Sequence, residues 1–128
     1  MTIFKPHRQE DSVYLEWLPQ QREFLCLICG RPAERCHLES VGSRGSDYRV
    51  FPACHDCHMK KHSGSQQIRT GTWERALSSW FLWLPHLWGR YVSYLSRDWP
   101  DQPLLKADAM EAFRTFGYTE AQLEVLGA

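Results

Sequence analysis

The 128-residue sequence lacks a net charge, a long apolar run and any internal repeat. Its 15 basic residues balance 15 acidic ones, so the chain as a whole is not marked as a binder of polyanions. The longest stretch without a charged side chain, residues 76–89, has 14 residues, whereas a membrane-spanning helix needs about 18 or more. The first ten residues carry charges and no apolar core of the kind found in signal peptides. We therefore expect a cytoplasmic protein with no membrane partner.

The composition still indicates a folded protein. Hydrophobic residues make up 43% and charged residues 23%, which excludes a fully disordered chain, and the length suits one compact domain. The charges are unevenly spread. Residues 21–70 hold eight basic and five acidic side chains, and residues 71–128 hold five basic and seven acidic ones. The basic middle is therefore the candidate surface for a polyanion, and the acidic remainder for solvent or a protein partner.

All five cysteines fall between residues 26 and 57, and four of them form two Cys-x-x-Cys pairs. In a cytoplasmic chain this spacing favours a metal over disulfides. Two such turns can complete the tetrahedron around a structural zinc ion, and Gly30 allows a tight turn after the first pair. The pairs are separated by 24 residues, which suggests an element inserted between them. The predicted zinc ligands are Cys26, Cys29, Cys54 and Cys57.

The middle of the chain predicts a ββα unit. Apolar runs at residues 24–28 and 50–51 are typical of short strands, and the glycines and serines of residues 41–47 predict a loop between them. A helix is expected over residues 54–62. With an N-terminal arm that carries a short helix over residues 13–18, this unit occupies residues 1–63. The predicted fold class is α+β.

Residues 64–128 predict a helical extension that packs on the zinc unit. Thr72 is the candidate N-cap, and Pro85 predicts a kink or break near residues 81–85. Further helices are expected from Pro103 to Gly117 and from Thr119 to Gly127. Two apolar rows on the first helix exceed what we expect one chain to cover, which predicts a homodimer or a protein partner. The first row has heptad spacing and comprises Trp73, Leu77, Trp80, Leu84, Leu87, Tyr91 and Tyr94; the second comprises Phe81, Trp88, Val92 and Leu95.

Three histidines carry the remaining chemistry. His58 and His62 lie four residues apart on one helical face, which is half of a metal site. The alternative is a solvated basic helix end stabilised by the helix dipole. His37 near neutral pH can take a proton from water. Cys36 before it is a further ligand, a buried thiol or a free one.

Taken together, these motifs resemble the HNH (ββα-metal) nucleases, and most closely small phage and prophage members with paired cysteines. The resemblance covers roughly residues 12–63. The matching motifs are Cys26-x-x-Cys29, Cys36-His37-Leu38, Gly45-Ser46-Asp47-Tyr48 and Pro52-x-Cys54-x-x-Cys57-His58-x-x-x-His62.

The resemblance implies roles for individual residues. His37 would activate water, Asp47 stands at the middle Asn of the family, and His58 is the helix histidine. The catalytic divalent metal (Mg, Mn, Zn, Co or Ni) would be held by His58, His62 and Cys36. Cys36 departs from the family pattern of Asp or His, and its soft thiolate disfavours magnesium. The candidate phosphate contacts are Arg44, Arg49, Lys60 and Lys61.

The function implied by the resemblance is metal-dependent hydrolysis of DNA phosphodiesters with low sequence specificity, in a bacterial or phage-infected host cell. The alternative is a non-catalytic, zinc-stabilised module that binds DNA or a protein, such as a phage accessory or host-directed factor. Cys36 and the neutral net charge favour this alternative.

Overall fold

The computed structural model describes residues 9–39, 45–62 and 70–128, with the backbone alone at residues 61, 62 and 70. The chain forms two compact units, Met1–Leu77 and Ser78–Ala128. The boundary predicted between residues 63 and 64 lies outside the described residues, and the single-domain arrangement stays a prediction. No helix in the described part of the chain is long and apolar enough to cross a membrane.

The first helical elements in the described part of the first unit are helix α1 (Ser12–Trp17) and a 3-10 turn (Leu18–Gln20). This confirms the short helix predicted for the N-terminal arm. Asp11 caps α1, because its carboxylate accepts a hydrogen bond from the backbone N–H of Tyr14 at 2.9 Å. The Tyr14 ring is buried and lies 5.0 Å from the ring of Tyr48, centroid to centroid. The arm is therefore packed on the segment that leads into the second strand.

Strands β1 (Glu34–His37) and β2 (Val50–Ala53) form an antiparallel hairpin, with Cys36 opposite Phe51 and His37 opposite Val50. The predicted strand at residues 50–51 is confirmed, but the strand predicted at residues 24–28 is wrong. That segment forms the turn of the first cysteine pair, where only an isolated bridge joins Leu25 to Pro32. β1 has a polar sequence with little strand signal of its own, and it forms because its partner β2 is buried throughout.

Helix α2 (His55–His62) follows β2 and completes the ββα unit, so the α+β fold class is confirmed. Helix α3 (Thr70–Trp83) begins before Thr72, so the predicted N-cap at that residue is wrong and Thr72 lies inside the helix. The buried ring of Trp73 on α3 lies 6.2 Å from the ring of Phe51 in an edge-on arrangement. This contact joins the start of α3 to the hairpin within the first unit.

The second unit contains the end of α3 and helices α4 (Pro85–Asp98), α5 (Pro103–Thr115) and α6 (Glu120–Leu126). Pro85 is the first residue of α4, which confirms the predicted break, because proline tolerates the first helical turn but not the interior. Gly117 has a φ of +93°, and Thr119 and Gln122 form the predicted capping box of α6. These local signals all appear where the sequence predicts them.

The apolar rows of the helical segment are largely buried within one chain. From the first row, Trp80, Leu84, Leu87 and Tyr91 are buried, and from the second, Trp88, Val92 and Leu95 are buried. The Trp88 ring stacks on Phe113 at 4.8 Å and on Phe116 at 5.3 Å, centroid to centroid. The premise of the predicted homodimer, that much of these rows would stay uncovered, therefore does not hold. The dimer itself remains an untested prediction.

Candidate metal and catalytic centres

The two cysteine pairs meet in one place, which we call the four-cysteine cluster. The Sγ atoms of Cys26, Cys29, Cys54 and Cys57 all lie within 4.8 Å of one another, and those of Cys29 and Cys54 are 3.5 Å apart. Sulfurs held about 2.3 Å from a tetrahedral zinc ion are separated by about 3.8 Å. All four are free thiols, and three of them are buried. The donor set and its spacing fit a structural zinc ion.

The first cysteine turn is built by short backbone hydrogen bonds. The backbone N–H of Cys26 donates to the carbonyl oxygen of Arg31 at 2.8 Å, and that of Gly30 donates to the carbonyl oxygen of Cys26 at 2.9 Å. Gly30 has a φ of +75°, which residues with a side chain adopt only with strain. The N–H of Leu27 donates to the carbonyl oxygen of Pro52 at 3.1 Å, which ties this turn to β2.

The second turn lies where β2 passes into α2. The backbone N–H of Cys57 lies 3.5 Å from the Sγ of Cys54 and donates to it. The N–H of His58 donates to the carbonyl oxygen of Cys54 at 2.9 Å, which closes the first turn of α2. A zinc ion held by both pairs would therefore join the first cysteine turn, β2 and α2, and binding would stabilise the whole ββα unit.

The four thiols differ in their electrostatic surroundings. The guanidinium of Arg31 donates from Nε to the Sγ of Cys29 at 3.3 Å, and this hydrogen bond, with one from the Arg31 backbone, lowers the pKa of Cys29 to about 6. Burial raises the pKa of Cys57. Cys29 is thus the exposed thiol of the cluster that loses its proton most readily. Cys57 is buried and holds its proton more strongly, so a metal ion must displace that proton on binding.

His37 and Asp47 form a pair at the end of the hairpin. The Nε2 of His37 lies 2.8 Å from the Oδ1 of Asp47, whose side chain is 3% exposed. The other oxygen, Oδ2, accepts from the backbone N–H of Asp11 at 2.8 Å. Because an ionised carboxylate only accepts hydrogen bonds, a neutral His37 carries its proton on Nε2 and keeps the lone pair on Nδ1. The imidazole is 21% exposed, so water can reach it.

A second group of ligand-type side chains lies on β1 and α2. One ligand atom each from Glu34, Cys36 and His58 lies within 4.8 Å of the other two. Glu34 and Cys36 share a face of β1, because side chains two apart on a strand point the same way. Among the described residues, His37 belongs to neither metal-type cluster, which agrees with its position one residue further along the strand. The structure thus brings Cys36 to His58 and brings His37 to Asp47. It does not place His37 in the same cluster as His58, although the resemblance to the nucleases predicts that the two converge on one point.

Sequence reasoning missed Glu34. Its Oε1 lies 2.9 Å from the Nδ1 of His55, and its Oε2 lies 3.5 Å from the Nδ1 of His58. The signal that could have found it is the spacing of two from Cys36, but that spacing has meaning only on a strand. The sequence predicts apolar strand residues earlier in the chain and places His37 near the end of the first strand, and the pairing of β1 with β2 confirms that position of His37. The sequence does not, however, single out the face that Glu34 shares with Cys36.

The other predicted site residues are placed in part. The Nε of Arg49 lies 3.5 Å from the Oε1 of Glu39, and Lys60 is half-buried on α2. Arg44 lies outside the described residues, as do the side chains of Lys61 and His62, whose backbone belongs to α2. Their roles in phosphate contact and metal ligation stay predictions.

Comparison of the chain with protein-family models, with curated protein sequences and with solved structures finds no match.

Proposed function

We propose that the chain is a metal-dependent endonuclease of the HNH type that hydrolyses DNA phosphodiesters with low sequence specificity, and that it is of phage or prophage origin. The observation that carries the proposal is the pair of His37 and Asp47, in which a buried carboxylate orients a water-accessible imidazole. The order of motifs along the chain supports the family, with Cys36 and His37 before the loop and His58 after the second cysteine pair.

In this proposal His37 is the general base. Its Nδ1 takes a proton from the attacking water, while Asp47 keeps the Nε2 proton in place and stabilises the imidazolium that forms. A positioned base contributes roughly 10²–10⁴-fold in rate. The hydrogen bond from Asp11 holds the same carboxylate from its other oxygen, so the imidazole is oriented by an anchored partner.

Cys36 and His58, with His62 one helical turn further on, are the proposed ligands of the catalytic divalent cation. When bound, that cation would stabilise the negative charge that develops on the phosphate and on the leaving oxygen. The thiol of Cys36 is buried and the His58 side chain is 25% exposed. Solvent and substrate would therefore reach a cation at this site from the side of His58, because Cys36 is covered by the protein.

The four-cysteine cluster has a structural role in this proposal. It joins the turn at Cys26, through the Leu27 hydrogen bond to Pro52, to the start of α2. His58 directly follows Cys57 in the sequence, so a zinc ion bound at Cys57 would stabilise the helix that carries a proposed catalytic ligand. Loss of zinc would consequently remove activity by unfolding the site.

The second candidate function is a non-catalytic, zinc-stabilised module that binds DNA or a protein. The thiol at Cys36, where the resemblance leads one to expect a harder ligand, is the observation that favours it. In such a module the bond between His37 and Asp47 would only tie the loop to the hairpin, because a buried hydrogen-bonded carboxylate stabilises a fold without any reaction.

Plasmid nicking by the pure protein separates the two functions. The wild-type chain, with its structural zinc retained, is assayed with Mg²⁺, Mn²⁺, Zn²⁺, Co²⁺ and Ni²⁺ beside two variants. His37→Ala should lose roughly 10²–10⁴-fold in cleavage rate. His86→Asn, which removes an imidazole from the second unit and keeps a donor for the carbonyl of Leu126, should cleave like the wild type. Absence of cleavage with all five cations would overturn the nuclease and favour the binding module.

A further inference from the structure

We propose that Glu34 joins Cys36 and His58 as the third protein ligand of the divalent-cation site named above, in the place that the proposed function gives to His62, and that this site selects zinc-class ions over magnesium. Binding at this site is independent of any reaction. The inference also names the cation of the proposed nuclease, and in that respect it rests on the proposed function.

The positions of the three side chains follow from β1 and α2. Glu34 and Cys36 project from the same face of β1, and His58 projects from α2, which the four-cysteine cluster holds against the hairpin. Their ligand atoms lie within 4.8 Å of one another. Ligands of a tetrahedral ion at about 2.0–2.3 Å are about 3.3–3.8 Å apart, so small side-chain adjustments suffice.

The burial of the three residues suits a site with one open position. Cys36 is 1% exposed, whereas the side chain of Glu34 is 47% exposed. Three protein ligands and a position left to solvent or substrate are the arrangement of catalytic rather than structural zinc sites. The four-cysteine cluster differs, because it offers four thiols and no open position.

Charge also favours a divalent cation here. A carboxylate and a thiolate beside a neutral imidazole carry two negative charges, which one divalent ion balances. The carboxylate of Glu34 already faces imidazole nitrogens, with Oε1 2.9 Å from Nδ1 of His55 and Oε2 3.5 Å from Nδ1 of His58. The orientation of Glu34 is therefore set by His55 on the outer side, while its second oxygen lies near the ligand His58.

The donor set decides which ion binds. One oxygen, one sulfur and one nitrogen atom suit zinc, cobalt or nickel, whereas magnesium requires oxygen ligands and near-octahedral geometry. The thiol of Cys36 is thus the group that excludes magnesium. Glu34 supplies the second of the two negative charges that balance the divalent ion.

The test is a titration of the full chain, loaded with its structural zinc, with Co²⁺. We expect one cobalt to bind per chain while the zinc content stays unchanged, and a sulfur-to-cobalt charge-transfer absorption to appear as Cys36 becomes a ligand. Glu34→Gln should weaken cobalt binding by at least the roughly 10–100-fold seen when a supporting partner of a ligand is lost. Glu39→Gln is the matched control, because its side chain has nearly the same exposure, 49% against 47%, and it should bind cobalt normally.

Several outcomes would overturn the inference. These are displacement of the structural zinc by cobalt in place of a new equivalent, unchanged cobalt affinity in Glu34→Gln, and displacement of cobalt by an equal concentration of Mg²⁺. Both Glu variants change exposed side chains, so both should fold, and their zinc content verifies this. Binding of one cobalt beside the retained zinc, without DNA cleavage, supports this inference and contradicts the nuclease. Magnesium-driven cleavage that Glu34→Gln leaves intact supports the nuclease and contradicts this inference.

Discussion

The carboxylate of Asp47 bridges the imidazole of His37 and the backbone N–H of Asp11, with both oxygen-to-nitrogen distances at 2.8 Å. The backbone N–H of Asp47 also donates to the carbonyl oxygen of Gln9 at 2.9 Å. Asp11 in turn caps α1 and accepts from the hydroxyl of Tyr48 at 2.6 Å. One buried carboxylate therefore fixes the N-terminal arm to the segment before β2 and orients the proposed base.

Asp47→Asn tests both roles of this carboxylate. The Asn oxygen can still accept from Asp11, but its NH₂ group facing His37 would require the proton to move to Nδ1 of the imidazole. The lone pair needed for proton transfer would then be lost, so we expect cleavage to fall by roughly 10²–10⁴-fold. We expect the free energy of unfolding to fall by about 1–3 kcal/mol, because a buried charged hydrogen bond is replaced.

The measurements are plasmid nicking and urea denaturation followed by circular dichroism. Asp98→Asn is the control, since that side chain is exposed and pairs with its neighbour Arg97; it should change neither quantity appreciably. Full cleavage by Asp47→Asn at unchanged stability would show that the pair has neither role.

Removal of zinc should unfold the first unit. The four-cysteine cluster joins the first cysteine turn, β2 and α2, and binding of the ion is in this case part of the folding free energy. We expect chelation, or the substitution Cys57→Ser, to abolish amide protection in β1, β2 and α2, while α4 and α6 keep theirs. Hydrogen exchange with and without chelator measures this. Protection of β2 in protein shown by elemental analysis to be zinc-free would contradict the prediction.

Arg31 should govern the acid sensitivity of the zinc centre. In the metal-free cluster its hydrogen bond to Cys29 lowers the pKa of that thiol to about 6, so protons compete with zinc for this sulfur only as the pH falls through that value. Stability that depends on this thiolate is therefore complete above the ordinary thiol pKa of 9.0 and is lost as the pH falls through about 6. In Arg31→Ala the pKa of Cys29 moves upward, and zinc release on acidification should begin at a higher pH.

A zinc-sensitive dye read across a pH series measures this release. Arg22→Ala is the matched control, because that guanidinium is exposed and pairs with the adjacent Glu23. Identical release curves for Arg31→Ala and the wild type would show that Arg31 does not affect the ligand.

Gly89 should tolerate no side chain. A Cβ atom there would overlap the carbonyl oxygen of Leu123 and lie 2.7 Å from the backbone nitrogen of Gly127. We expect Gly89→Ala to separate α4 from α6 and to lower the free energy of unfolding by about 1–3 kcal/mol, as overpacking does. Gly71→Ala is the contrasting variant: its nearest neighbour is the Arg75 side chain at 3.6 Å. There the higher helix propensity of alanine should stabilise α3 by up to about 1 kcal/mol.

Thermal and urea unfolding of both variants measure the difference. Equal stability of Gly89→Ala and the wild type would mean that α4 and α6 do not approach through this glycine in solution.

The features that the sequence alone determined are those set by local chemistry. Paired thiols at a spacing of three can face one ion, so the four-cysteine cluster was predictable from Cys26, Cys29, Cys54 and Cys57. Pro85 cannot continue a helix, and Thr119 with Gln122 satisfies the free N–H groups at a helix start. The helix break and the helix cap depend on residues that are close in the sequence. The four-cysteine cluster depends on a spacing of three within each pair, which is recognisable however far apart the two pairs lie.

Tertiary structure decided where the first strand lies and which side chains meet. β1 takes the polar segment Glu34–His37 because the buried β2 supplies its hydrogen-bonding partner across an intervening loop, and strand pairing depends on such contacts more than on local preference. The pairing of His37 with Asp47, the approach of Glu34 to His58 and the contact of Gly89 with Gly127 all follow from packing between distant segments. Such contacts leave no periodic signal in the sequence, because each one joins two residues whose distance along the chain is not set by a helix or strand repeat.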